Sequence, residues 1–419
     1  MTSARLGARA GPLWINASFA VFWTARTLSW AGTGISGVVL PVLVYDRTGS
    51  PALTALLAAV EALPYLAFGL LAGAVADRVR RRGLMVGCDL ACAALMGSIP
   101  VAWALGRLTA GLVLLAALGT ATAFVFFDAA SFGAVPALAG RDRVVGAVSG
   151  LSAASSVAAM IAPAVAGGLL AVLAPAQAVV VDTASYLASA ALLASIRRPF
   201  EVRGGPAPGR DPDGRGLLDG LRFIWRQPLL RAMTLLAGLP VSVTGGAGTG
   251  LIVIYAVRAL GLSRADPRIG LLYSAGAAGS AAAALALPRV RRRVRAGRVA
   301  LIFLALDAAA LAGVALAPGF PAALAALACW LFCYSMVTIN GITLRQELTP
   351  DRLQGRVNTT ARMLGWGGYP FGALIGGVLA DLLPIRVTLL VMCLPVAAAA
   401  LAALRSPLNR EPAAVPRPR

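Results

Sequence analysis

The sequence predicts an all-α membrane protein of twelve transmembrane helices arranged as two pseudo-symmetric six-helix halves. Three observations carry that reading. The 419-residue chain is 59% hydrophobic and only 13% charged, against about a quarter charged in soluble domains. Twelve apolar segments, each near the roughly 20 residues that cross a bilayer as a helix, lie at approximately 15–44, 51–76, 84–105, 108–127, 145–172, 176–196, 229–257, 268–288, 298–317, 321–344, 360–383 and 386–404. One offset relates the halves: Asp142-Arg-Val-Val-Gly146 matches Asp351-Arg-Leu-Gln-Gly355 at 209 residues, and the same offset carries Gly167-Gly168-Leu-Leu-Ala171 onto Gly376-Gly377-Val-Leu-Ala380. A six-plus-six parallel repeat of this kind builds a central cavity that opens alternately to either side of the membrane.

Charge placement orients the spans. All 37 basic residues are arginine, and they outnumber the 17 acids for a net charge of +20. Thirty arginines fall on one side, at the N-terminus, in 78–82, 141–143, 197–231, 289–298 and 345–362, and after 404, against six on the other. That bias makes the first side cytoplasmic and puts both termini there. It also accounts for the net charge without a nucleic acid, since a loop such as RVRRRVRAGR at 289–298 suits anionic lipid headgroups. Arg5 and Arg9 precede an apolar run too long for a signal peptide, so span 1 is expected to be retained.

Lysine and histidine are both absent, which excludes a Walker-type phosphate loop, a pyridoxal Schiff base and the usual histidine-dependent hydrolases. Cys88/Cys92 and Cys329/Cys333 are each four apart on a helix face, but without histidine or a nearby acid pair they are expected to be buried thiols rather than metal ligands. No cofactor is expected.

In chain order, span 1 carries Arg26 and span 2 carries Glu61, joined by an external turn at 45–51. Span 2 ends in GAVADRVRRRG, which runs from Gly73 through Asp77 into Arg78, Arg80, Arg81 and Arg82. Span 4 ends at Phe126-Phe-Asp128. Span 5 contains Ala162-Pro-Ala-Val-Ala-Gly-Gly168. There Pro163 removes a helical hydrogen bond and Gly167 and Gly168 allow close approach, so a bend packed on a neighbour is expected. The Pro/Gly-rich stretch after residue 197 reads as a linker that recovers as an amphipathic LLDGLRFIWRQ at the membrane surface. The expected units are therefore 1–196, a cytoplasmic linker at 197–228, 229–405 and a tail at 406–419.

These residues carry a family resemblance. Gly73-x-x-x-Asp77-Arg78-x-x-Arg81-Arg82 resembles the signature loop between helices 2 and 3 of the major facilitator superfamily, and the likeness covers essentially the whole chain. EALPYLAFGLLAGAVADR, FFDAASFGAVPALAG, VVVDTASYLASA and LRQELTPDRLQGRVNTTARMLGWGGYPFGALIGG are similar to its drug:proton antiporter branch, which includes macrolide and siderophore exporters. Helix 5's AlaPro-x-x-x-GlyGly resembles the antiporter motif with alanine replacing its first glycines, the counterpart loop at Ala284–Arg289 lacks glycine and acid, and the superfamily's arginine on helix 4 is missing. The resemblance implies that Asp77 bonds the start of helix 11 in the outward-facing state while Arg81 and Asp128 complete a charge relay, so that breaking the contact favours inward opening.

Depth selects the coupling candidates. Arg26 and Glu61 both lie near mid-membrane by residue count, and their pairing is one expectation; an unpaired charge there costs at least about 3 kcal/mol. With no histidine present, a carboxylate has to carry any side-chain proton coupling, with Glu61 first and Asp307 of span 9 second. Asp182 of span 6 and Asp89 of span 3 are expected to be structural. The reading is export of a hydrophobic or amphipathic small molecule by proton antiport, from a monomer in a bacterial inner membrane. The alternatives are a lysophospholipid flippase or siderophore-related carrier of the same fold, and from another class a membrane sensor or integral-membrane enzyme.

Overall fold

The computed structural model describes residues 16–140, 143–200, 216–264, 266–350 and 353–409. Asp142 and Asp351 of the repeat, the linker at 201–215 and the side chain of Asp77 lie outside the described residues. Among those described, the chain is helical throughout, and twelve helices are long and apolar enough to cross a membrane.

The first half comprises α1 (Ala17–Thr48), α2 (Pro51–Arg78), α3 (Arg81–Ala104), α4 (Ala110–Ala139), α5 (Val144–Leu170) and α6 (Pro175–Ser195). The amphipathic α7 (Gly216–Arg226) leads to the second half. Its seventh span is composite: α8 (Pro228–Ala232), a π-helical turn at Met233–Gly238, α9 (Leu239–Gly250) and α10 (Ile252–Arg258). Pro240 has no amide to offer the carbonyl four residues back, and the π turn sits directly upstream of it. The half is completed by α11 (Arg268–Arg293), α12 (Ala296–Leu316), α13 (Phe320–Leu348), α14 (Gln354–Leu382) and α15 (Ile385–Leu404).

Local chemistry sets several ends. Ser50 accepts a hydrogen bond from the Leu53 amide with Pro51 at the first position of α2, and Thr109 accepts one from Leu112 at the start of α4. Gly49 closes α1 at φ 65° and Gly140 closes α4 at φ 92°, values that glycine adopts without strain.

Two differences from the sequence expectation matter for the site. Span 4 does not end at Asp128. Ala129–Ala139 continues as a mostly apolar helix through Pro136 to Gly140, which places Asp128 inside α4 rather than in a loop. Likewise α14 begins at Gln354, ahead of its apolar run, so Arg362 is part of the helix two turns in. The amphipathic α7 is anchored rather than free-lying: Ile224 is buried with Leu230, Val357 and Ala361.

Within the first half α1 packs on α5 and α6, and α3 on α4 and α6; in the second α11 and α12 pack on α13, and α9 on α14. The halves meet along two lines, α2 against α14 and α5 against α11. Shifting by six spans exchanges these pairs, as a two-fold repeat requires.

Candidate functional site

At the face opposite the arginine-rich one, the two halves are in backbone-level contact. A Cβ added at Gly167 would strike the Pro267 carbonyl and Gly270, and one added at Gly270 would strike Pro163 and Gly167. On the other line Gly377 lies against Pro51, Ala52 and Ala55, and Gly250 against Ala55 and Ala58. Gly168, which the sequence paired with Gly167, faces open space. Polar contacts reinforce the closure: the Ala52 amide donates to Asp381 at 3.2 Å, Arg258 to the Tyr45 hydroxyl at 3.1 Å, and Arg264 to the Asp46 carbonyl at 3.0 Å. In the loop at the same face, Arg268 donates two side-chain hydrogen bonds and one from its backbone amide to the Asp266 carboxylate and holds it below the usual carboxylate range.

Glu61 stands one helical turn beneath this seal, three residues on from Ala58. Its side chain is exposed and has no ion-pair partner among the described residues. Tyr273 of α11 and Tyr369 of α14, both from the opposite half, lie within electrostatic reach of it. Tyr369 is fixed by a 2.6 Å hydrogen bond with Thr249. Neither tyrosine was legible as a site residue, because contacts between halves leave no local pattern.

Arg26 does not pair with Glu61. At about 1.5 Å per residue, Arg26 lies about 33 Å from the end of α1 at the sealed face and Glu61 about 15 Å from that of α2, so about 18 Å of depth separates them. Arg26 instead bonds Asp128 at 3.4 Å and stacks on Trp30 and Phe127, with ring centroids at 4.4 and 4.8 Å. Asp128 accepts a second hydrogen bond from the Tyr65 hydroxyl at 3.4 Å. Arg362 then donates to that hydroxyl at 2.5 Å and covers the Tyr65 ring at 4.6 Å. Arg26–Asp128–Tyr65–Arg362 is thus a polar chain from the interior of the first half to α14 of the second. Tyr65 and Arg362 escaped the sequence reading; the available signal was Arg362 counted as helical rather than as loop.

Of the expected relay, the side chain of Asp77 lies outside the described residues, and Arg81 and Asp128 each have other partners. Arg81 donates to the Gly133 carbonyl of α4 at 2.9 Å, while Asp128, displaced into the helix, is taken by Arg26 and Tyr65. Arg82 donates to the Ala194 carbonyl, in the last turn of α6 where free carbonyls favour a cation. Arg78 is exposed, and a Cβ at Gly73 would meet nothing.

The remaining acids differ sharply. Asp182 is fully buried and accepts hydrogen bonds from Ser36 at 2.5 Å and Ser185 at 3.3 Å, tying α6 to α1. Asp89 is buried within electrostatic reach of Arg26. Asp307 is fully buried, and neither carboxyl oxygen has a hydrogen-bond partner among the described residues. Cys88, Cys92, Cys333 and Cys393 are buried free thiols, Cys329 is exposed, and no group of three metal-binding side chains occurs among the described residues.

Near the arginine-rich face, a cavity of about 340 Å³ opens between the π turn, α9, α13 and α14 of the second half. Met233, Val337 and Ile342 give it apolar walls, Ser242 and Tyr334 add hydroxyls, and Arg345 and Arg362 are its charged groups. That volume lies in the range of small-molecule sites.

The Major Facilitator Superfamily profile matches residues 22–369. The chain is 27% identical over 398 residues to the multidrug efflux pump Tap of Mycobacterium tuberculosis, covering 92% of this chain and 93% of the pump. It is 26% identical over 374 residues to the enterobactin exporter EntS of Salmonella typhimurium, covering 88% and 87%. Among solved structures, a bacterial homolog of the human lysosomal transporter Spinster superposes with a TM-score of 0.77 over 98% of this chain and all of the other, at 14% identity. The nucleoside transporter NupG gives 0.73 over 92% of this chain and 98% of the other, also at 14% identity. With a superfamily profile spanning most of its length and a twelve-span fold closed by paired inter-half contacts, this chain belongs to the major facilitator superfamily of transporters.

Proposed function

We propose that the protein exports a hydrophobic or amphipathic small molecule across a bacterial inner membrane, as a monomer with both termini cytoplasmic, by proton antiport through Glu61. The observation that carries the coupling assignment is the position of Glu61. It is a carboxylate exposed at the protein's own surface at mid-membrane depth, without an ion-pair partner among the described residues, one turn beneath the seal and within electrostatic reach of tyrosines of the other half. A group so placed exchanges access to the two sides when the halves rock, which is what a coupling carboxylate requires. Asp307 is enclosed and unpartnered, without the exposure a proton carrier needs in this state. The arginine bias supports the orientation, and the full-length similarity to Tap and EntS supports export.

The test is movement of lipophilic dyes and antibiotics into everted membrane vesicles with an imposed proton gradient. Glu61→Gln is expected to lower gradient-driven movement at least tenfold, whereas Asp307→Asn retains a gradient response. Equal gradient-driven rates in the parent and Glu61→Gln would remove Glu61 from the mechanism.

A further inference from the structure

The cavity of the second half is cationic, and no acidic side chain among the described residues pairs with its arginines. Arg345 in α13 and Arg362 in α14 both line it and lie within electrostatic reach of one another. No acidic side chain is among the lining residues. Arg345 has a buried Nε without a hydrogen-bond partner, and it forms no ion pair among the described residues. Arg362 bonds a neutral phenol, Tyr65, and the carboxylate beyond that phenol, Asp128, is already paired with Arg26.

Two guanidinium groups facing one apolar space without a counterion raise the cost of the empty cavity, through mutual repulsion and incomplete hydration. An anion relieves both, and a guanidinium fork binds carboxylate, sulfonate or phosphate oxygens in pairs. Met233, Val337 and Ile342 give the wall an apolar face that suits an apolar body, and its other polar groups are the neutral hydroxyls of Thr234, Ser242, Tyr334 and Thr338. We infer that this cavity binds anionic amphiphiles, an acidic head held between Arg345 and Arg362 with an apolar body against the π turn and α13. The inference deepens the export reading by giving the cargo a charge, but it concerns binding alone.

The probes are a matched pair of dyes: 8-anilino-1-naphthalenesulfonate, and N-phenyl-1-naphthylamine, which has the same aromatic body without the sulfonate. The full-length protein is placed in zwitterionic nanodiscs with no gradient, and binding is read as energy transfer from its tryptophans, with empty nanodiscs subtracted. The sulfonate is expected to bind at least tenfold more tightly than the neutral dye. Arg345→Gln should weaken the sulfonate about tenfold and leave the neutral dye unchanged, and Arg345→Lys should retain most of the preference.

Competition identifies the source. Displacement of the sulfonate by lysophosphatidylglycerol but not lysophosphatidylcholine supports an anionic lipid as the natural ligand. Displacement by neither supports a non-lipid anion, and equal displacement by both overturns the inference. So does equal affinity for the two dyes in the parent, a result that needs no variant to fold, or parallel loss of both in Arg345→Gln. Because no gradient is applied, failure of proton-driven transport leaves this result standing, and failure of binding leaves the transport test standing.

Discussion

Gly167→Leu is expected to lower transport more than tenfold with the helices still in place, whereas Gly168→Leu, one residue on, is tolerated. The side chain at 167 would enter the Pro267 carbonyl and Gly270 of the opposite half, and the one at 168 would enter open space. Overpacking costs about 1–3 kcal/mol even where side chains can adjust. Backbone cannot adjust that way, so the upper end applies, and that shifts a two-state equilibrium by up to about 150-fold. The equilibrium in question is closure of the face opposite the arginine-rich one, which the proposed orientation makes the outer face. A protein unable to close it stays open to the outside and cannot complete a cycle. With the native cysteines replaced, Ala58→Cys reports the state: it lies against Gly250 in the seal, so it should resist a membrane-impermeant maleimide added from outside in the parent and react in Gly167→Leu. Protection in both, with transport retained, would show that the contact is not the closing surface.

The second large effect is on stability. Arg26 is 4% exposed, bonded to Asp128 and stacked between Trp30 and Phe127. Arg26→Gln leaves Asp128 without its cation and Asp89 without a nearby positive charge. Removing one partner of a fully buried pair typically costs about 3–5 kcal/mol, and because Asp128 is 35% exposed and can be partly hydrated the cost here falls below that range. A lower thermal unfolding midpoint in detergent is therefore expected, with Arg26→Lys intermediate because an ammonium keeps the charge but loses the planar stacking. An unchanged midpoint for Arg26→Gln would mean that the pair contributes nothing to the folded state.

The difference between these residues explains how far the sequence could be read. Span number was legible because a bilayer demands about 20 apolar residues per crossing, a local property of composition. Helix ends were not, since α4 runs past Asp128 on small residues and α14 starts ahead of its apolar run. The first shift relocated Asp128 and with it the partner of Arg26, and the second carried Arg362 from the edge of the predicted 360–383 span to two turns inside the helix. Residue depth was legible for Glu61, but its neighbours Tyr273 and Tyr369 come from the other half, where only the fold brings them close. The Gly167/Gly168 pair illustrates the same limit: the motif names both, and packing makes them unequal.

Proton antiport through Glu61 is tested by following protons rather than cargo. Purified protein is reconstituted in liposomes holding a pH-sensitive dye, and a compound moved in the vesicle assay is added outside with no imposed gradient. A proton flux opposite to the cargo is expected in the parent, and none above background in Glu61→Gln. Cargo movement in the parent without a pH change, or a pH change that persists in Glu61→Gln, would contradict it.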